Sequence, residues 1–295
     1  MLGQFARKIS LPKSIIFGAL WLSIYTGPAT ELTYAEGWKQ LDESTLFFES
    51  QVPGESSPIK LWFYLPRIRK GKIPCVFIAP AGSKMFHGMN LTAEDRKEHL
   101  PYVKRGFAVV AYELEGALAE NAGPGETIKA TKAFKASQGG VLDGKRAINA
   151  ALSSLKEIDQ NRLFAAGHSS AGTTALALAA SEARIRACAA FAPCCNLKEF
   201  FGGAIANLNL MAPGFSSFIS SFAPDSNTNK LKCPVLIFNA ADDDVVSPAE
   251  IKSYVAKLQV SNKSVKTVTV ASGGHFNSMI DQGIPAAIQF FQTLK

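Results

Sequence analysis

The most informative stretch of this sequence is Arg162-Leu163-Phe164-Ala165-Ala166-Gly167-His168-Ser169-Ser170-Ala171-Gly172. Its first five residues are mainly apolar and predict a buried strand, and the alanine-rich residues 173–181 predict a helix soon after it. A sharp turn lies between the two, with Ser169 at its apex. Small residues at Gly167 and Ala171 let the strand and helix backbones approach closely. The stretch therefore predicts a nucleophile elbow, which holds a serine hydroxyl clear of a sheet.

Two other interpretations of this turn remain open. The strict motif has glycine two residues after the serine, whereas this chain has Ala171 there and Gly172 next. In the first alternative, Ser169 is only a helix-capping serine in a glycine-rich loop. Ser170 would otherwise be the nucleophile, but His168 would then occupy the small-residue position. Ser169 is favoured because the flanking strand and helix patterns are both present.

A serine hydroxyl needs a base to take its proton. After a nucleophile elbow the partners follow in the order acid, then histidine. The chain has four histidines, and only His275 follows Ser169. It lies in a glycine loop over residues 272–276, after a predicted strand at 266–270. We therefore expect His275 to be the catalytic base.

Three consecutive aspartates compete for the acid position after the apolar run 233–238. Asp243 fits best, because Ala240 and Val246 then take the Gly and Val places of a G-x-x-D-x-x-V pattern. Asp242 and Asp244 are then loop carboxylates. A metal site built from all three is a further option, although no calcium-loop spacing surrounds them. We expect Asp243 to fix the tautomer of His275.

An oxyanion hole needs two backbone N–H donors. One is expected at Ser170, directly after the nucleophile. The other should follow the predicted strand at 73–79, where Gly82 is the first choice and Ala81 the alternative. The candidate substrate-binding residues are Ala81, Ser83, His168, Phe215 and Phe218.

The order of predicted elements indicates the fold class. A hairpin over residues 45–65 comes first, and strands and helices then alternate to the end of the chain. This pattern predicts an α/β fold with a mostly parallel, doubly wound sheet and an N-terminal antiparallel hairpin. One domain over residues 36–295 accounts for it. Residues 113–140 and 194–232 form long connections, and the second is expected to be a small cap after the sixth strand. Its aromatic residues would line an apolar acyl pocket, bury the cap on the body, or do both.

Residues 1–35 have the pattern of an export signal. Three basic residues, Arg7, Lys8 and Lys13, precede an uncharged stretch over residues 14–30. Ala29 and Ala35 each end a possible cleavage site. The alternative is an uncleaved N-terminal anchor. We therefore expect the protein to be secreted or periplasmic, or else held at a membrane by this segment, and we expect membrane contact only if the segment is retained.

Composition excludes several classes. The 295 residues are 47% hydrophobic and 19% charged, which is globular rather than disordered composition. Net charge is +7, a modest excess typical of solubility, although a basic surface of this kind would also favour acidic polymers or anionic lipid headgroups. No basic–aromatic interleaving or zinc-finger spacing supports nucleic-acid binding. Five cysteines are too few for a disulfide scaffold. In an oxidising compartment Cys188 and Cys233 would be a tentative pair.

Together the elbow, the acid and histidine positions and the strand–helix layout resemble the α/β-hydrolase fold superfamily, over about residues 45–294. The opening hairpin and the Pro80-Ala81-Gly82-Ser83 turn are similar to those of dienelactone-hydrolase-like and prolyl-oligopeptidase-like members. Such families hydrolyse esters, lactones or peptides. The β-propeller that many oligopeptidases carry does not fit in a chain of this length, so a peptidase is favoured less than an esterase.

The function predicted from the sequence is hydrolysis of carboxylic esters through an acyl-enzyme, with a small-molecule or polymeric ester as substrate. Ser169 attacks, His275 relays the proton and Asp243 orients the ring. No metal or other cofactor is expected. A peptidase or amidase of the same fold is the second possibility. A non-catalytic binding protein with a hydrolase fold is the third, although such proteins usually lose a triad member.

Overall fold

Apolar runs separated by helix-forming segments build a nine-stranded sheet with helices on both faces. A computed structural model describes residues 37–82, 88–119 and 121–294. They belong to one compact unit, Glu31–Lys295. The other unit, Met1–Thr30, lies outside the described residues, as do the whole signal or anchor predicted over residues 1–35 and the candidate Ser83. Export and N-terminal anchoring therefore stay predictions.

The strands have the following bounds: β1 Lys39–Gln40, β2 Thr45–Val52, β3 Ile59–Pro66, β4 Ile73–Ile78, β5 Ala108–Tyr112, β6 Ile158–His168, β7 Ile185–Phe191, β8 Val235–Ala240 and β9 Val265–Val270. The α-helices are α1 Arg96–Val103, α2 Pro124–Ala136, α3 Val141–Ser154, α4 Ser169–Ser181, α5 Leu197–Phe201, α6 Ala204–Met211, α7 Phe215–Phe222, α8 Pro248–Ser261 and α9 Ile284–Gln292. A π-helical turn, Met279–Gly283, precedes α9.

The strand order is β1-β2-β3-β5-β4-β6-β7-β8-β9. The first three strands and the β3–β5 pair are antiparallel, and every pair from β5 to β9 is parallel. This confirms the predicted mostly parallel sheet with an antiparallel N-terminal hairpin. The six parallel strands share a carboxyl edge, where they end, and an amino edge, where they begin. Functional residues of open parallel sheets gather at the carboxyl edge.

Side chains of each strand alternate between two apolar cores, one on each face of the sheet. In β4, Phe77 lies in the core beneath α3 and α4, and its neighbour Ile78 lies in the core beneath α1 and α9. Phe164 of β6 stacks on Phe291 of α9, with ring centroids 4.4 Å apart. The continuous apolar runs of the central strands follow from this burial on both faces.

The two long connections of the chain, including the predicted cap, contain helices. Residues 113–140 include α2, which begins with Pro124 after Gly123, and the Glu126 carboxylate accepts a hydrogen bond from the Gly123 N–H at 2.9 Å. The cap segment 194–232 contains α5, α6 and α7. Proline at the first helical position and an acid at the third are helix-start signals, and here they were hidden within a glycine-rich stretch.

The predicted disulfide is wrong in this structure, where all five cysteines are free thiols. Cys188 is in register with Val235 on the neighbouring strand, so Cys233 lies two residues further along. Neighbouring strands are about 4.8 Å apart and each residue advances about 3.3 Å. The two Cα atoms are therefore about 8 Å apart, beyond the reach of an undistorted disulfide.

In the described part of the chain, no helix has both the length and the apolar character that crossing a bilayer requires.

Candidate active site

Ser169 is the first residue of α4 and directly follows β6. Its φ of 54° is in the left-handed region, which a non-glycine residue rarely adopts. Gly167 explains how the turn closes: a Cβ there would be 2.3 Å from the Ala171 carbonyl oxygen, which belongs to the backbone. A Cβ on Gly172 would be 3.0 Å from the Gly167 oxygen. The departure at Ala171 is therefore tolerated, because Gly167 and Gly172 are the positions of close approach.

His275 and Asp243 meet as the sequence predicted. The Nδ1 of His275 is 2.8 Å from Oδ2 of Asp243. The other carboxylate oxygen of Asp243 accepts the backbone N–H groups of Val245 and Val246, each at 2.9 Å. The Asp243 side chain is 1% exposed. These contacts fix one carboxylate oxygen on the backbone and leave the second for the imidazole.

Ser169, Asp243 and His275 all lie in connections at the carboxyl edge of the parallel strands. They follow β6, β8 and β9 respectively. Ser169 is adjacent in the chain to His168, whose ring centroid is 4.4 Å from that of His275. The structure therefore brings the serine and the imidazole to the same edge of the sheet, although they are more than 100 residues apart.

His168 is buried in contact with His275, and its predicted role in substrate binding stays a prediction. It is 4% exposed, and its Nε2 is 2.9 Å from the backbone oxygen of His275. Since a carbonyl only accepts, this nitrogen carries the proton. Burial, followed by the proximity of His275, lowers the pKa of His168 to about 4. A neutral His168 holds the backbone of His275 without placing a second cation beside it.

Asp242 holds the glycine loop that precedes His275. Its carboxylate oxygens accept the N–H groups of Gly274 at 2.9 Å and Gly273 at 3.1 Å. These hydrogen bonds, that of Gly274 foremost, lower the pKa of Asp242. On the other side of the loop, the Ser278 hydroxyl donates to the Gly274 oxygen at 2.6 Å. Asp242 and Ser278 are positioning residues that the sequence did not single out.

The predicted oxyanion donor at Gly82 already has an acceptor in this structure. Its N–H donates to the Ser170 hydroxyl oxygen at 2.8 Å, so this amide is not an unoccupied donor. The reason is that the hydroxyl of Ser170 points toward the loop after β4, where it also approaches the Gly82 carbonyl at 3.4 Å. Ala81 is half-buried against the core. The Ser170 N–H is in the first turn of α4, where amides have no intrahelical acceptor.

Phe215 and Phe218 pack within the cap and on the body, which is one of the two alternatives predicted for the cap aromatics, and their role in substrate binding stays a prediction. Phe215 is 1% exposed and contacts Phe201 and Phe218 within the cap. Phe218 packs edge-on against Phe134 of α2. It also lines a cleft of about 260 Å³ beside Ala177, Ala180 and Ser181, near the end of α4. These residues are about 12–18 Å along the helix from Ser169. Phe215 and Phe218 therefore help to bury the cap on the body.

The aspartate run does not gather into a metal site. Asp243 contacts His275 and Asp242 contacts the glycine amides. Within the described ranges, no three side chains of His, Cys, Asp or Glu come together as a metal-binding group. The arrangement instead supplies a hydroxyl, an imidazole and a carboxylate, the groups that acyl transfer uses.

A family comparison decides the assignment. The model described as acetyl xylan esterase (AXE1) matches residues 44–201, more than half of the chain and including Ser169. The chain belongs to the acetyl xylan esterase family. It is a serine ester hydrolase of the α/β-hydrolase fold, as the resemblance predicted. No curated protein sequence matches it.

Solved structures agree on the fold. The acetyl xylan esterase from Paenibacillus sp. R4 is 17% identical, with a TM-score of 0.67 and 87% of each chain covered. The acetyl xylan esterase 1 from Thermoanaerobacterium sp. JW/SL YS485 is also 17% identical, with a TM-score of 0.62 and the same coverage. The acylaminoacyl peptidase from Pyrococcus horikoshii is 13% identical with a TM-score of 0.64, and 85% of this chain covers 41% of that one. This chain therefore spans about two fifths of the peptidase.

The contact of Asp242 with the glycine loop leads to a testable expectation. Asp242→Ala removes both acceptors of the loop amides, so His275 is held less firmly and kcat for p-nitrophenyl acetate should fall about tenfold. KM should stay nearly unchanged, because Asp242 is expected to hold the loop rather than the substrate. Asp242→Asn keeps one acceptor oxygen and should give an intermediate rate. The matched control is Asp244→Ala at the exposed neighbouring position, and an equal loss there would contradict the positioning role.

The buried neutral His168 leads to a second expectation, on stability. Its pKa is about 4 in the folded protein and 6.5 as a free side chain. Between these values the unfolded chain binds the proton first, so this contribution is complete above pH 6.5 and is lost as pH falls toward 4. His168→Gln keeps a donor for the His275 carbonyl but cannot titrate. The free energy of unfolding from urea titrations should then fall less for the variant, by about 2 kcal/mol, between pH 7.5 and pH 5. Parallel pH profiles for the two proteins would refute the assignment.

Proposed function

We propose that Ser169 is the nucleophile, His275 the general base and Asp243 the acid of a deacetylase that acts on esterified hydroxyl groups of carbohydrate. The observation that carries this proposal is the 2.8 Å contact between His275 and the buried Asp243, beside a serine in the left-handed conformation of an elbow. This combination gives a weak nucleophile the base and the orienting group that it requires.

In the proposed reaction the Oγ of Ser169 attacks the ester carbonyl carbon while the Nε2 of His275 takes the hydroxyl proton. The Nδ1–H of His275 donates to Asp243, which fixes the tautomer and stabilises the imidazolium. His168 stays neutral, so the new charge on His275 has no cationic neighbour there. The imidazolium then protonates the departing alkoxide. Water attacks the acyl-enzyme by the same route and releases the acid and Ser169.

The negative oxygen of the tetrahedral intermediate is proposed to accept the Ser170 N–H at the start of α4. The positive end of the helix dipole favours charge at this place. The second donor is proposed to come from the Gly82 amide. Its present acceptor, the Ser170 hydroxyl, can turn aside when a stronger, charged acceptor arrives.

Two observations support a short acyl group on a carbohydrate. Phe215 and Phe218 of the cap pack against Phe201 and Phe134, so these two rings are engaged away from Ser169 and are not proposed to hold a long acyl chain. The matched family is named for acetyl xylan. Each methylene that is buried contributes only about 0.8 kcal/mol. An acetyl group has a single methyl to bury, so it gains little from an apolar pocket.

A substrate panel tests this proposal. The full chain should hydrolyse p-nitrophenyl acetate faster than the hexanoate ester, and it should release acetate from acetylated xylan. Ser169→Ala should lower kcat/KM about 10⁴-fold or more. Ser181→Ala, an exposed serine at the other end of α4, is the control and should be unchanged. Cleavage of aminoacyl anilides but not of esters would overturn the proposal in favour of an amidase. Hydrolysis of small esters but not of acetylated xylan would overturn only the carbohydrate assignment.

A further inference from the structure

Positive charge is concentrated at the amino edge of the sheet, opposite the candidate active site. Seven connections lie at this edge, and three of them are counted together with the first residues of the strand that follows (158–162 of β6, 185–186 of β7 and 265–266 of β9). Their ranges are residues 41–44, 67–72, 104–107, 156–162, 182–186, 230–234 and 263–266. They contain 14 of the 31 Lys and Arg residues and 5 of the 24 acidic residues. The edge therefore has a net charge of +9, whereas the rest of the chain has −2. We call these seven connections the basic edge.

Ion pairing leaves most of these cations available. Three half-buried arginines of the basic edge pair with its own acids, at Arg69–Glu157, Arg162–Asp159 and Arg184–Glu182. The remaining eleven Lys and Arg residues of the edge are exposed. Of the five acidic residues of the basic edge, Asp42 and Glu43 remain outside these three ion pairs, and they offset two of the eleven exposed positive charges. Every connection that leads into a parallel strand contributes at least one exposed cation, so the charge extends along the whole edge.

Two exposed apolar side chains accompany this charge. Ile68, in the turn before β4, is 83% exposed and Val260, at the end of α8 next to the connection at 263–266, is 78% exposed. They are near opposite ends of the parallel sheet. From β4 to β9 there are four strand spacings, or about 20 Å. Exposed apolar side chains among lysines and arginines are typical of surfaces that lie against lipid headgroups.

We propose that the basic edge docks the folded domain on an anionic lipid bilayer. Clustered Lys and Arg residues are attracted to acidic headgroups, and Ile68 and Val260 enter the boundary between headgroups and acyl chains. The sequence predicts membrane contact through an uncleaved N-terminal segment, and its basic excess leaves open an attraction to anionic headgroups without locating it. The folded domain has a surface of its own for such contact, independent of the esterase chemistry.

The geometry favours a bilayer over an acidic polymer. Charge spread along six strands and two apolar contacts about 20 Å apart match an extended surface better than a single thin chain. Strands β4, β7, β8 and β9 have six or seven residues each, so the active-site edge is about 20 Å from the basic edge. Docking therefore leaves Ser169 facing away from the bilayer and open to substrate.

Vesicle sedimentation of the full chain tests the proposal. Binding to phosphatidylcholine vesicles containing phosphatidylglycerol should be stronger than to phosphatidylcholine alone, and it should weaken as salt rises from about 0.1 M to about 0.5 M. The variant Lys70→Glu, Lys104→Glu, Lys232→Glu should lose about 100-fold of its affinity for the anionic vesicles. The matched control is Lys129→Glu, Lys132→Glu, Lys252→Glu, with the same charge change at exposed positions elsewhere, and it should keep most of its affinity.

The apolar contacts have their own readout. Ile68→Ser with Val260→Ser should weaken binding about tenfold or more, while Leu210→Ser, an equally exposed position on the cap, should not. All variants should hydrolyse p-nitrophenyl acetate at the wild-type rate, which separates this proposal from the proposed function. Equal binding to both vesicle types would attribute binding to the N-terminal segment and overturn the proposal. Equal losses of vesicle affinity in the two lysine variants would also overturn it. So would a Lys70→Glu, Lys104→Glu, Lys232→Glu variant that loses binding to the acidic polymer polygalacturonate but keeps its binding to anionic vesicles.

Discussion

The site depends on the absence of a side chain at Gly167. The end of β6 and the start of α4 approach so closely that a Cβ there would be 2.3 Å from a backbone oxygen. That approach puts Ser169 in the left-handed region, at the start of α4, where the proposed mechanism places the developing negative charge. It also places His168 under His275. Without this turn, the serine would be an ordinary helix residue. His275 and Asp243, in the loops after β9 and β8, would then have no serine hydroxyl to act on.

The three groups proposed to carry the chemistry could be selected from sequence because each has a local signature. Ser169 lies between a strand and a helix, His275 is the one histidine that follows it, and the spacing around Asp243 distinguishes it from its neighbours. The parallel sheet was predictable for a similar reason, since strands buried on both faces are uniformly apolar. The contact between His275 and Asp243 then follows from their positions after adjacent strands.

What the sequence did not show depends on where side chains point. Asp242 and Asp244 look alike in the sequence, but only Asp242 meets the amides of the loop before His275. Phe215 and Phe218 have the composition of an acyl pocket, yet they pack on the cap and body. The Ser170 hydroxyl meets Gly82 through a contact between residues 88 apart. Such choices are made by tertiary packing, for which a local pattern has no signal. The charge of the basic edge is likewise invisible until the topology brings seven separate connections together.

The two edges of the sheet thus have different tasks in this account. The carboxyl edge gathers the reactive side chains, as parallel sheets generally do, and the amino edge carries the excess positive charge. Because the same strands connect both edges, a domain docked by one edge presents the other to solution.

The most direct test of the central claim is labelling with a fluorophosphonate, followed by mapping of the modified peptide by mass spectrometry. Only a serine activated by a base reacts readily with this reagent. We expect one label on Ser169 in the wild-type chain, and almost none in His275→Asn provided that this variant remains folded. A label on Ser170, or none on the intact protein, would contradict it.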